Sequence, residues 1–109
     1  MATTLKILGQ LSPASTTPSD LYTVPSSTST VCSTLVVCNR NTVDTTFRVA
    51  VRKNGNSLSS EHYLYYDVIL AANDTFAATI GISLSSGDVV TVYSGNGLIS
   101  FNLFGQENS

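Results

Sequence analysis

The sequence predicts an all-β chain: a single-domain antiparallel β-sandwich, jelly-roll-like, with an N-terminal arm. Three observations predict it. Alternation of apolar and polar residues with period two dominates, carried by Val, Ile, Thr, Phe and Tyr. No stretch sustains a helical period. Turn residues recur at roughly 8–12-residue spacing, the interval of short strands in sandwiches and small barrels.

Taken in order, strands are expected near residues 3–9, 20–24, 29–39, 43–53, 61–70, 74–82, 88–94 and 97–104. Residues 1–19 read as an arm with a short strand, because "QLSPASTTPS" is polar and holds two of the three prolines. That first strand must find a sheet edge, on its own domain or a neighbour's. Residues 20–109 then form the sandwich. In "VDTTFRVAVRK" Phe47, Val49 and Val51 face the core, with Arg48, Ala50 and Arg52 outside. In "EHYLYYDVIL" the apolar set is Leu64, Tyr66, Val68 and Leu70. A hairpin joining the two sets Arg52 opposite Glu61, Phe47 opposite Tyr66 and Arg48 opposite Tyr65. Phe76, Ala78, Ile80 and Ile82 are inward in the next strand, and Ile99, Phe101 and Leu103 in the last. Asn54-Gly55 is the strongest hairpin signal, since both residues tolerate positive φ. Ser94-Gly95-Asn96-Gly97 repeats the device, and the stretches 71–74 and 85–87 supply further turns.

Composition bounds the rest. The 109 residues suffice for one domain with its own core. Charged residues are only 11%, while 16 Ser and 14 Thr supply hydroxyls in their place. A surface so poor in charge defends weakly against self-association. Five basic against seven acidic residues leave no footprint for nucleic acid. The N-terminus carries no apolar run long enough for a signal peptide or a membrane span, so a reducing cytoplasm and no membrane partner are expected. The sequon Asn73-Asp74-Thr75 is then a turn.

Little in the sequence looks chemical. Cys32 and Cys38 lie six apart on one strand, with the same parity and so the same face. Six extended residues span about 20 Å, whereas a disulfide needs Cα atoms about 4.4–6.8 Å apart. Neither a disulfide nor a shared metal follows, and both cysteines read as packing residues. His62 stands alone, no serine sits in a GxSxG context, and no phosphate loop occurs. Asp67, Asp74 and Asp88 fall at strand ends or turns. The chain reads as a non-enzyme without catalytic residues, cofactor or metal. Tyr63 and Tyr65 are expected on the outer face beside Arg48, a Tyr–Arg patch of the kind enriched in protein interfaces. A sugar-stacking platform is the lesser reading of that patch.

In their order, several segments resemble a family of small virion structural proteins of tailed bacteriophages. These are "LYTVPSSTSTVCSTLVVCNRN" at 21–41, "TTFRVAVRKNG" at 45–55, "HYLYYDV" at 62–68, "NDTFAATIGISLSSGDVVTVY" at 73–93 and "LISFNLFGQE" at 98–107. Cys32 and Lys53 depart from the pattern. The resemblance implies a place in the virion, assembled in the host cytoplasm, as a head decoration (cement) or tail-fibre-associated protein. It brings no catalytic residues. The expected role is a head decoration protein, a homotrimer that clamps subunits of the major capsid protein. The alternative is a tail-fibre or baseplate component that binds a receptor or glycan. The contact residues expected are Leu5, Ile7 and Leu8 on the arm strand, with Arg48, Arg52, Tyr63 and Tyr65 on the hairpin.

Overall fold

The computed structural model describes residues 2–109. Eight strands occur in the order expected: β1 (Thr3–Leu11), β2 (Ser19–Thr23), β3 (Ser29–Asn39), β4 (Thr45–Arg52), β5 (Tyr63–Leu70), β6 (Thr75–Leu84), β7 (Val89–Ser94) and β8 (Ile99–Asn108). They form two four-stranded sheets, a front sheet β1-β8-β3-β6 and a back sheet β2-β7-β4-β5. Every recorded strand pair is antiparallel. Of the links between consecutive strands, only β4–β5 stays within a sheet, and all the others cross between layers. That order is the double Greek key of a jelly roll.

The turn chemistry is where the sequence puts it. Asn54 (φ 53°) and Gly55 (φ 69°) both adopt the left-handed region, as do Asn73, Gly87 and Gly97. The turn at 94–97, expected to close a hairpin, carries the chain from one sheet to the other, as do those at 71–74 and 85–87. A local turn signal specifies the bend; sheet membership depends on which distant strand completes the ladder.

The strand expected within residues 1–19 finds its edge on its own domain. β1 pairs with β8 from Thr3↔Asn108 to Leu11↔Phe101, an edge on its own domain. Ser15 bridges Ser94, and Ser19 already opens β2. Residue 1 lies outside the described residues. The pairing satisfies backbone groups that a free strand would leave to solvent, and it lets both strands run beyond their expected ends. Leu8, expected at an interface, is buried in the core, because alternation along β1 sends it to the face opposite Leu5 and Ile7.

Both inner faces supply the core. Phe47, Phe101, Leu35, Ile99 and Leu103 are its largest fully buried side chains. Phe47 of the back sheet meets Phe76 and Phe101 of the front sheet at ring-centroid distances of 5.4 and 6.2 Å. Tyr65 closes the cluster, 5.4 Å from Phe76.

Two bulges overturn face assignments. In β3 the register slips between Cys32 and Thr34 against both neighbours: Ser33 is the extra residue against β8, while against β6 the extra residue lies in β6, at Ile80–Gly81. One inserted residue moves everything beyond it to the other face. Cys32 is therefore fully buried, while Cys38 is half-buried on the outside, and they do not share a face. Both thiols are free. Burial pushes the Cys32 thiol up to about 11. At pH 8 a thiol-reactive chromophore should therefore titrate one cysteine in the native protein and two in denaturant, with peptide mapping assigning the native adduct to Cys38. Two native adducts would count against this burial.

In β5 the expected register holds only at the far end. Ala50 faces Tyr63, but Phe47 faces Val68, with shifts on either side of Val49. Asp67 is the hinge of this irregularity, at φ 50°. Val68 and Leu70 point inward as expected, whereas Leu64 and Tyr66 are exposed at 45% and 57%. Tyr65, expected outside, packs on Phe47 and Phe76 instead. Ala50, also expected outside, is buried.

Candidate interaction surfaces

Among the described residues, the outer face of the front sheet carries no Asp, Glu, Lys or Arg. Its cross-strand rows include Leu5–Gln106–Val31–Ser83 and Ile7–Phe104–Thr34–Thr79. The next row continues with Gln10, Asn102, Val36 and Ala77. Amide and hydroxyl side chains satisfy one another along it: Gln10 Nε2 donates to Asn102 Oδ1 at 2.7 Å, and Thr3 Oγ1 to Asn108 Oδ1 at 2.9 Å. Leu5 and Ile7 stand out from this face at 79% and 51% exposure. A notch of about 80 Å³ lies beside them, lined by Leu5, Val31, Ser33, Gly105 and Gln106. Gly105 is required here, since a β-carbon would collide with the Val31 carbonyl of the bulged strand.

The two charged residues of the front-sheet strands have the other parity. Lys6 is opposite Gly105 and Glu107 is opposite Thr4. Lys6 Nζ meets Glu107 Oε1 at 3.2 Å. Glu107 Oε2 accepts the Tyr22 phenol at 2.6 Å, which ties the two sheets together. With its proton committed there, Tyr22 accepts from Thr30 Oγ1 at 2.7 Å. Burial, then the Glu107 carboxylate, raises the Tyr22 phenol above its ordinary range. The Tyr22 hydrogen bond, helped by Lys6, holds the Glu107 carboxyl below its own. Two signs follow. The Glu107 contribution is present above the ordinary carboxylate range and is lost as pH falls through the depressed folded value. The Tyr22 contribution is present below the ordinary tyrosine value and is lost as pH rises toward the raised one. Tyr22→Phe should therefore cost about 1–2 kcal/mol near neutrality, with the deficit shrinking in acid. Urea unfolding of both proteins between about pH 3 and 8 measures it, and a pH-independent difference would exclude the clasp.

On the outer face of the back sheet, Arg48 is flanked by aromatics. Its guanidinium carbon lies 4.3 Å from the Tyr66 ring centroid and 4.2 Å from that of Tyr93. Arg48 Nε donates to Asp67 Oδ1 at 2.6 Å and Nη2 to Oδ2 at 3.3 Å. The expected Arg–Tyr patch thus exists with different partners, Tyr66 and Tyr93 in place of Tyr63 and Tyr65. The signal that could have found this was Asp67, a carboxylate within an otherwise apolar strand and tolerant of positive φ. Arg52, also expected at an interface, is engaged within the molecule. It donates to Asp20 and Thr91 and to the carbonyls of Gly55 and Asn56, holding the β4–β5 connection.

Tyr63 does reach the surface, on the rim of an open cleft of about 570 Å³ lined by Leu58, Ser59, Ser60, Tyr63 and Tyr66. The two tyrosine rings stand nearly perpendicular, with centroids 4.8 Å apart. His62 caps the adjoining turn, its Nδ1 accepting the Ser59 backbone N–H at 3.1 Å. Among the described residues no three His, Cys, Asp or Glu side chains converge as a metal set would. No family model, curated protein or solved structure matches the chain.

Proposed function

We propose that the chain is a non-enzymatic structural protein of a bacteriophage particle, a head decoration protein that seats the outer face of its front sheet on neighbouring shell subunits. The resemblance of its segments to virion proteins points to the particle. The observation that carries the seating is the charge-free face with Leu5 and Ile7 projecting from it. Burying charge at an interface costs free energy unless every group is paired, so a face without ionisable groups can be covered at little desolvation cost. Four strands about 4.8 Å apart and about ten residues long present on the order of 600 Å². A standard interface buries about 800 Å² per partner, so the face and its margins suffice for one specific contact. The role is binding energy alone, summed over many copies, with three copies gathered as a homotrimer around a local three-fold of the shell.

Quantitative mass spectrometry of purified particles tests the reading. Hundreds of copies per particle are expected of a head decoration protein. Tens of copies, or recovery with isolated tails, would sink it. Light scattering should then give three times the 11.5 kDa chain mass; a protein that stays monomeric both free and on the shell would remove the trimer.

A further inference from the structure

The geometry points to a second binding site, independent of the seating face: the cleft between residues 58–60 and β5 takes an uncharged pyranose ring of a saccharide. All five lining residues are neutral, which disfavours phosphorylated or carboxylated ligands. Two perpendicular tyrosine rings and Leu58 form apolar walls of the kind that receive the C–H face of a sugar. The phenols of Tyr63 and Tyr66 and the Ser60 hydroxyl donate to no other described residue, so each remains available to a sugar hydroxyl. A volume of about 570 Å³ lies within the usual range of ligand sites. The aromatic wall is also held in place. Arg48 stacks on Tyr66 and is itself fixed by Asp67, so ordering Tyr66 costs little on binding. An apolar peptide side chain is the competing occupant, but it would leave those three hydroxyls without partners. The cleft belongs to the back sheet, the layer opposite the proposed seating face, so both can be occupied together.

The test is amide chemical-shift titration of the full ¹⁵N-labelled chain. The probes are the methyl glycosides of glucose, galactose and N-acetylglucosamine, the β1,4-linked tetramers of glucose and N-acetylglucosamine, and indole as an apolar ring. At least one saccharide should shift the amides of residues 58–66 with millimolar affinity, as an open cleft allows. Tyr66→Ala and Tyr63→Ala should each weaken that binding about tenfold, while Tyr66→Phe, which keeps the ring, should weaken it about threefold or less. The spectrum of each variant reports whether it is folded. No saccharide shift up to about 50 mM, well beyond millimolar affinity, would overturn the proposal. Undiminished binding in both folded alanine variants would do the same, as would a response to indole alone. Because the readout uses free protein, its failure leaves the copy-number test of the decoration role untouched.

Discussion

Asn39→Leu should lower the unfolding free energy by about 3–5 kcal/mol, the largest loss expected from any single polar side chain here. Asn39 is 1% exposed at the end of β3. Its Nδ2 lies within 3.0–3.2 Å of the carbonyls of Val43, Leu70 and Ala71, and its Oδ1 accepts the Asn41 N–H at 3.0 Å. One amide thus fastens the β3–β4 crossing to the β5–β6 crossing. Leucine of similar volume keeps the packing but strips those backbone groups of a partner, and each buried orphan costs about 1–3 kcal/mol. Urea unfolding measures the effect as a lower midpoint at unchanged slope. Asn102→Ala, on the partly exposed front face, should change stability by no more than about 0.5 kcal/mol. Equal midpoints for Asn39→Leu and the parent would refute the fastening.

The second large effect is on docking. Leu5→Glu combined with Ile7→Glu should leave the fold intact, because both side chains already stand in solvent. If the front face seats on the shell, two carboxylates buried there without partners cost several kcal/mol. Affinity for shells lacking the protein should then fall at least about a hundredfold. Lys53→Glu, at an exposed turn outside that face, is the matched change and should bind as the parent does. Co-sedimentation with undecorated shells reads both. Normal binding by the double variant would move the seating to another surface, with the Arg48–Tyr66–Tyr93 face next to be altered.

Parts of these surfaces are legible in the sequence. Leu5 and Ile7, expected at an interface, are exposed, while Arg48, expected beside Tyr63 and Tyr65, stands against Tyr66 and Tyr93 instead. Leu8 faces inward by the plain alternation of β1 against Leu5 and Ile7, whereas Tyr65 faces inward because of a bulge in β5. An extra residue near Leu8, at Ser33 or at Asp67 reverses inside and outside for the rest of the strand. At Ser33 the position is set by the two ladders, to β6 and to β8, that must close around it and that pair residues far apart in the chain. β1 and β5 are edge strands with one ladder each. Arg52 reads as an open cation in isolation, yet four acceptors gather around its guanidinium only once β2, β7 and the 53–56 turn come together.

The sequence by itself determined the class of the fold, the existence and order of eight strands, the turns and most of the core. Those features rest on period-two alternation and on residues that accept positive φ, and both act within a few residues. Only the tertiary structure decided which turns cross between sheets, where the register slips, and that the first strand completes its own domain. It alone brought Tyr22 to Glu107, 85 residues away, and Asn39 to the Leu70 carbonyl, 31 residues away. The reason is physical: hydrogen bonds in a jelly roll join strands remote in sequence, so partners, register and bulges are settled by closing the whole sandwich.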